Sequence, residues 1–349
     1  MLGRALIRGA SLNGFVALAT GLGLDANALI AAAKLSKRAL YEPDLRIPVS
    51  AFAILLENAG RAAGIEDFGV RLAETRQLSN LGPLALVATH EPTLRRALEA
   101  IVRYMHLHNE SLSLRIEDDG PLVWISFTII IGERLPARQL IELSVGAVHR
   151  MMGSMLKAAW QPKAICFLHD APRDRSTYRR VFGAVDVQFN AAFDGILCRS
   201  VDLERPMPTG DPLLARYARA YLEEVSSAVG EEAVEERVHH LVRALLPSRT
   251  CTAARIASLL GVDRRTMHRH LHRRGSNYVD VLRGVRRELV DRHVTQSHRP
   301  LTDVAALLGF GSLSAFSDWF RDEYGCSASD WRRRAMREVV MPTTFDGKN

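Results

Sequence analysis

A chain of 349 residues, 47% apolar and 24% charged, is long for a single core and ordinary for a globular protein of about two domains. Four cysteines with no Cys-x-x-Cys pair exclude a disulfide scaffold, and no run nears the ~18 apolar residues of a membrane span. The net charge of +7 is unevenly held: residues 237–338 carry 19 Arg, no Lys and 10 acidic residues, a net +9, against −2 for residues 1–236.

Residues 1–40 alternate glycine turns with short apolar stretches. The uncharged run 9–24 follows Arg4 and Arg8 as a leader would, but it holds four Gly with Ser11, Asn13 and Thr20 and lacks a small-x-small site, so it reads as folded chain. Asp25 is placed to cap a helix over 25–33, and Pro43 and Pro48 mark an extended connection. Helices are predicted over 49–63, over 68–73, from Leu81-Gly82-Pro83 onward with proline in the first turn, and over 93–106. In the last of these, Leu94, Leu98, Ile101, Val102 and Met105 fall at helical spacing.

The period then changes. Leu112, Leu114 and Ile116 alternate, Asp118-Asp119-Gly120-Pro121 turns the chain, and Val123, Ile125, Phe127 and Ile129 alternate again: a hairpin with one buried face. A helix over 138–159 carries the stripe Leu140, Leu143, Ala147, Met151 and Met155. Strands follow over 163–168, 185–189 and 196–201. Three Pro and one Gly within 206–212 mark the clearest boundary in the chain. Helices are expected from 213 to 246 with a break near Gly230, then over 252–260, 263–273, 276–296, 301–308, 312–324 and 327–337.

The basic segment says nearly the same thing twice. Ile256-Ala257-Ser258-Leu259-Leu260-Gly261-Val262 precedes a helix with Met267 and Leu271 inward. Val304-Ala305-Ala306-Leu307-Leu308-Gly309-Phe310 precedes one with Phe316 and Phe320 inward. A short helix, a glycine turn and a second amphipathic helix, repeated, form two helix-turn-helix units. The first turns Arg264, Arg265, His268, Arg269, His272 and Arg273 outward, behind Asp263 as cap. Arginine suits phosphate and guanine edges alike, so this helix is the expected major-groove reader. The second turns out Ser312, Leu313, Ser314, Ser317, Asp318, Arg321 and Asp322, a nearly neutral face. Gly311, Ser312 and Ser314 could donate to phosphate at its start, and Arg332, Arg333, Arg334 and Arg337 could hold the DNA backbone. Between the units, 276–296 reads as a linker helix of roughly 30 Å, with Val279, Leu282, Val285, Leu289 and Val290 as its packing side. That length is close to the ~34 Å between successive major-groove faces.

These residues resemble the signature of the AraC/XylS transcription regulators over about 240–335. It is carried by Gly275-Ser276-Asn277-Tyr278, Arg286-Arg287-Glu288-Leu289, Val304 to Phe310, Ser314-Ala315-Phe316-Ser317 and Gly325 to Arg332. The upstream region, about 20–205, is similar to the partner domain of the ornithine-utilisation and mycobacterial virulence-type branch. There the residues are Phe68-Gly69-Val70-Arg71-Leu72-Ala73, Leu81-Gly82-Pro83-Leu84, Pro92-Thr93-Leu94, Ala97-Leu98 and Arg103 to Glu110. The resemblance implies base contacts by Arg265, His268 and Arg269 and by Ser314 and Asp318. Two positions depart from the family: Asp318 stands where a basic residue is usual, and Ala328 where Pro is usual. An acid at 318 repels phosphate, so specificity is expected to rest on the first unit.

The amino-terminal half offers no nucleophile, acid–base pair or phosphate loop, and no cofactor is expected; His268, His270 and His272 lack a further ligand nearby, so no metal is expected either. A pocket between the sheet (Trp124, Phe127, Phe167) and the helix 138–159 is expected to take a small effector, with Arg103, Tyr104, His106, Trp124 and His149 at it. The expected architecture is an α+β sensor and dimerisation domain (1–205), a linker and connecting helix (206–236), an all-α domain with two helix-turn-helix units joined by a linker helix (237–338), and a tail (339–349). The expected function is a cytoplasmic, effector-controlled regulator of transcription, not an enzyme. Its expected partners are double-stranded promoter or operator DNA, a small molecule, a second copy of the chain and RNA polymerase, with no membrane. The competing readings are a ligand-independent architectural DNA-binding protein and an enzyme with a helical accessory domain.

Overall fold

The computed structural model describes residues 5–130, 136–156, 160–228, 230–247, 251–260, 262–295 and 299–340. By contacts the chain divides into two compact units, Met1–Gly230 with the short stretch Leu259–Val262, and Glu231–Ser258 with Asp263–Asn349.

The first unit is built around the helix Arg138–Leu156, which is buried on nearly every side. A helix apolar on most faces has to be interior, and this one lies between two hydrophobic clusters. Leu140 and Leu143 belong to a helical cluster with Phe15, Phe52 and Phe68. Ile141, Val145, Val148 and Met152 belong to a second cluster with the sheet residues Val123, Ile125, Phe127 and Ile196. The helix Phe68–Ala73 crosses the central helix at very short range. A Cβ on Gly69 would fall 2.0 Å from Gln139 O, and one on Gly146 would fall 2.6 Å from the Ala73 Cβ. Both positions therefore require glycine. The Gln139 side chain is used at the same crossing: Oε1 accepts from Gly69 N at 2.6 Å and Nε2 donates to Glu66 O at 2.9 Å.

The sheet has five strands, in the spatial order Leu112–Asp119, Leu122–Ile129, Asp194–Arg199, Ala164–Cys166 and Asp186–Gln188. Two very short strands precede it: β1 (Leu6–Arg8) pairs antiparallel with β2 (Arg46–Pro48), apart from the main sheet. The expected hairpin is β3 (Leu112–Asp119) and β4 (Leu122–Ile129), paired with Ile116 opposite Ile125. β5 (Ala164–Cys166) and β6 (Asp186–Gln188) run parallel, and β7 (Asp194–Arg199) joins β4 to β5 antiparallel to both. The run considered as a leader is part of the interior, with Ala10, Leu12, Phe15 and Ala19 all buried. The helix Pro212–Ala228, expected as a connector, packs in this unit along the helix Pro83–His90 through Ala215 and Leu222. Its Arg219 reaches the buried Glu91 at 3.1 Å.

The second unit is all helix. Gly230–Leu245 and Ala253–Leu259 lead to Arg264–Arg273, then Tyr278–Val290, Leu301–Leu307, Leu313–Tyr324 and Ala328–Val340. The expected linker helix is shorter than its apolar pattern suggested. Its α-helical part is 13 residues, roughly 20 Å, and a π-helical turn, Asp291–Thr295, continues it. Its packing side also differs: Tyr278, Val281, Val285, Leu289 and Val290 are buried, whereas Val279 is 64% exposed. Gly261 and residues 339–349 of the expected scheme lie wholly or mostly outside the described residues.

Candidate nucleic-acid interface and effector cavity

Each helix-turn-helix presents its second helix on a local device legible in the residues. In the first, Asp263 accepts from Thr266 N at 2.7 Å and from the Thr266 hydroxyl at 2.9 Å, closing the helix start. The backbone and side-chain bonds from Thr266 hold the Asp263 carboxyl below its usual range. Met267 and Leu271, one turn apart, are fully buried. That rotation leaves Arg264, Arg265, Arg269, His272 and Arg273 exposed and His268 half-buried. The basic face expected from the sequence is therefore continuous along Arg264–Arg273.

In the second unit, Ser312 Oγ accepts from Ala315 N at 3.2 Å, and its own proton stays available to donate. Phe316 and Phe320 are fully buried. Ser314, Asp318 and Arg321 are exposed. Asp318 Oδ1 stands 3.7 Å from Arg321 Nη1, so the acid and the base partly cancel on the outer face. Arg332, expected at the DNA backbone, is engaged within the unit. Its guanidinium donates to Val294 O at 3.1 Å and His293 O at 3.4 Å, satisfying carbonyls left open by the π-helical turn. Arg333, with Arg334 exposed beside it, lies 3.1 Å from Asp330; the side chain of Arg337 lies outside the described residues.

The linker helix is fastened to the second reading helix by residues whose role the spacing did not show. Arg283 and Arg287 both pair with Glu323, whose side chain is only 5% exposed. Arg286 donates to Leu308 O at 3.2 Å and lies over the Phe310 ring. On the other side, Glu288 meets His239 at 2.9 Å and Arg243 at 3.4 Å. Tyr278 donates to Cys251 O at 2.9 Å.

The five residues expected at an effector site do not gather at one place: three of them meet on a single helix, and Trp124 and His149 lie elsewhere. Arg103 and Tyr104 reach Glu223 at 3.1 and 3.3 Å, and His106 Nε2 lies 3.0 Å from Ser226 Oγ. These three hold the helix Pro212–Ala228. Trp124 points away from Phe127 and stacks edge-on against Phe193 at 4.9 Å. Alternate strand residues face opposite sides, so Trp124 and Phe127 cannot share the pocket expected of them. His149 packs on Phe182 and Trp160 with ring centroids at 5.2 and 5.8 Å. Burial, then Arg150, pulls it down to about 4.

A cavity of about 60 Å³ does exist in the first unit, and none of the five lines it. It lies between the central helix and the amino-terminal segment, with two thirds of its lining residues apolar. Its polar residues include Ser11, Arg76, Asn80 and His108. Among the described residues no group of three His, Cys, Asp or Glu is placed to hold a metal ion, and no helix is long and apolar enough to cross a membrane.

Two helix-turn-helix units on one linker helix, with a separate α+β unit ahead of them, define a DNA-binding transcription regulator. Residues 23–207 match the family described as the arabinose-binding domain of AraC transcription regulators, and 256–334 match a helix-turn-helix domain. The chain is 29% identical over 330 residues to the transcriptional regulator VirS of Mycobacterium tuberculosis, covering 94% of this chain and 96% of that protein. It is 26% identical over 319 residues to the ornithine utilization regulator of Pseudomonas aeruginosa, covering 89% and 91% respectively. The crystal structure of the regulator CdpR from Pseudomonas aeruginosa aligns over 88% of this chain and 96% of that one, at 19% identity and a TM-score of 0.42. The chain belongs to the AraC/XylS family of transcription regulators.

Proposed function

We propose that this regulator reads specific operator sequences, chiefly through its first helix-turn-helix, under the control of a small molecule held in the first unit. The observation that carries the reading is the exposed Arg264–Arg273 face set over buried Met267 and Leu271. Four arginines with His268 and His272 supply phosphate attraction and bidentate base contacts together. The second reading helix contributes Ser312 and Ser314 at its start and a nearly cancelled Asp318–Arg321 pair, so it positions more than it specifies. A largely apolar cavity in a domain of the arabinose-binding class supports control by a ligand, acting by shifting the balance between two states of the protein. Binding as a homodimer, with RNA polymerase as the further partner, completes the proposal.

Selection of bound duplexes from a random pool by the full chain at physiological salt tests the specificity. A recovered consensus is the expected result. A uniform pool would overturn specific reading and favour an architectural role, because non-specific binding is mostly phosphate attraction and weakens steeply with salt.

A further inference from the structure

The cavity of the first unit contains a charge that the fold does not neutralise. Arg76, 5% exposed, lies in its wall. Its guanidinium donates to two neutral carbonyls, Ser11 O at 2.8 Å and Ala10 O at 3.4 Å. Among the described residues no carboxylate pairs with it. The other two arginines of this corner are matched: Arg8 with Asp44 at 2.6 Å, and Arg46 with Glu110 at 2.5 Å. An isolated buried cation is costly, and arginine does not escape the cost by losing its proton. Burial lowers Arg76 only to about 10, so it is charged at neutral pH.

Two further polar atoms at the same cavity lack partners among the described residues. Ser11, itself 5% exposed, has a buried Oγ with no hydrogen bond, and so does His108 at Nδ1. Burial, and then the neighbouring Arg8, Arg76 and Arg46, keep His108 neutral, pulled down to about 3. The remaining wall includes Ile7, Phe52, Leu81, Ile101, Leu140 and Met151. A pentose would place a hydroxyl on nearly every carbon against these apolar groups, each without a partner. One anionic end and one compact apolar body satisfy the wall as it is.

We infer that this cavity takes a small monocarboxylate with a branched apolar body, its carboxylate on Arg76 and Ser11 and its body against the central helix. The inference rests on the reading of this protein as ligand-controlled. A planar carboxylate matches the guanidinium fork. The volume of about 60 Å³ corresponds to roughly four or five times the space one water requires, so short branched acids fit best. Met105 and Met151, unbranched and adaptable, are the lining residues that yield to a slightly larger ligand.

The test is calorimetric titration of the full chain with 3-methylbutanoate, its neutral amide, the corresponding amine, arabinose and inorganic phosphate. DNA affinity is measured with and without each compound. The acid should bind at least about tenfold tighter than the amide, from the loss of charge-assisted bonds, and Arg76→Gln should erase that preference. Because Arg76 also ties down the backbone at Ala10 and Ser11, a second variant leaves it in place: Ala147→Leu fills the cavity and should abolish acid binding. Equal binding of acid and amide overturns the carboxylate assignment, as does binding of arabinose or phosphate alone, or of no compound. Acid binding that survives Ala147→Leu overturns the site. A neutral compound that binds and shifts DNA affinity leaves ligand control standing and removes only the acid class. Acid binding without any change in DNA affinity keeps the site and removes ligand control.

Discussion

The guanidinium of Arg286 sits 4.2 Å from the ring centroid of Phe310 while its Nε donates to Leu308 O at 3.2 Å. One side chain thus joins the linker helix to the turn of the second helix-turn-helix, and Trp319 closes over it at 5.8 Å. Burial lowers its pKa, yet the delocalised guanidinium tolerates that site as an ammonium would not. Arg286→Ala is expected to lower the stability of the second unit by about 1–3 kcal/mol, and Arg286→Lys by a smaller amount. Urea unfolding followed by tryptophan fluorescence measures both. A Lys variant with the parent's midpoint would show that the planar guanidinium contributes nothing at this site.

Asp318 gives a prediction about DNA contact. Its partner Arg321 is 3.7 Å away and both side chains are more than half exposed, so the pair contributes little to folding. Asp318→Arg should leave stability within about 0.5 kcal/mol. If the helix start lies against the duplex, the change should raise affinity at every salt concentration and steepen the salt slope by about one to two. An unchanged slope would place Asp318 away from the phosphates.

Arg269 and Arg332 should behave as opposites, although both belong to the same basic segment. Arg269 is exposed on the first reading helix; its change to Ala should cost about 1–3 kcal/mol of specific binding and relax one base position. Arg332 is bonded to the carbonyls of Val294 and His293, so Arg332→Ala should lower stability and leave the salt slope nearly as it was. Competition binding on the selected operator and its single-base variants separates the two outcomes.

Legibility followed the reach of each signal. Helical and alternating periods are local, so the repeated hairpin, its cap at Asp263 and the β3–β4 pairing could be read in the residues alone, whereas Ser312 proved to be a cap as well. The strands Leu6–Arg8 and Arg46–Pro48 could not, since three residues carry no period and Pro48 argues against a strand. The bonds of Arg332 to the Val294 and His293 carbonyls could not be read, because charge alone does not say which carbonyls lie nearby. The cavity residues come from segments as distant as Ser11, Arg76 and His108, and long-range bonds such as Arg8 N to His108 O and Arg76 to Ser11 O, which no local period announces, join them. Trp124 is different: strand parity against Phe127 was legible in the numbering, and placing both in one pocket went against it.

His149 predicts a pH dependence whose sign follows from burial. Among the described residues its Nδ1 has no hydrogen-bond partner, and its ring packs on Phe182 and Trp160. Burial, then the Arg150 charge, brings the folded-state value to about 4 from an ordinary 6.5. Between these values the unfolded chain takes up a proton that the folded chain refuses. Stability is therefore full above about pH 6.5 and falls as the pH drops toward 4, where this contribution levels off. His108 acts in the same direction, reaching down to about 3. His149→Phe retains the ring packing and removes the proton site, so it should recover on the order of 1–2 kcal/mol at pH 5 relative to the parent while changing little at pH 7.5. Paired urea titrations at the two pH values check this. Parallel losses in parent and variant would mean that His149 already accepts its proton in the folded state.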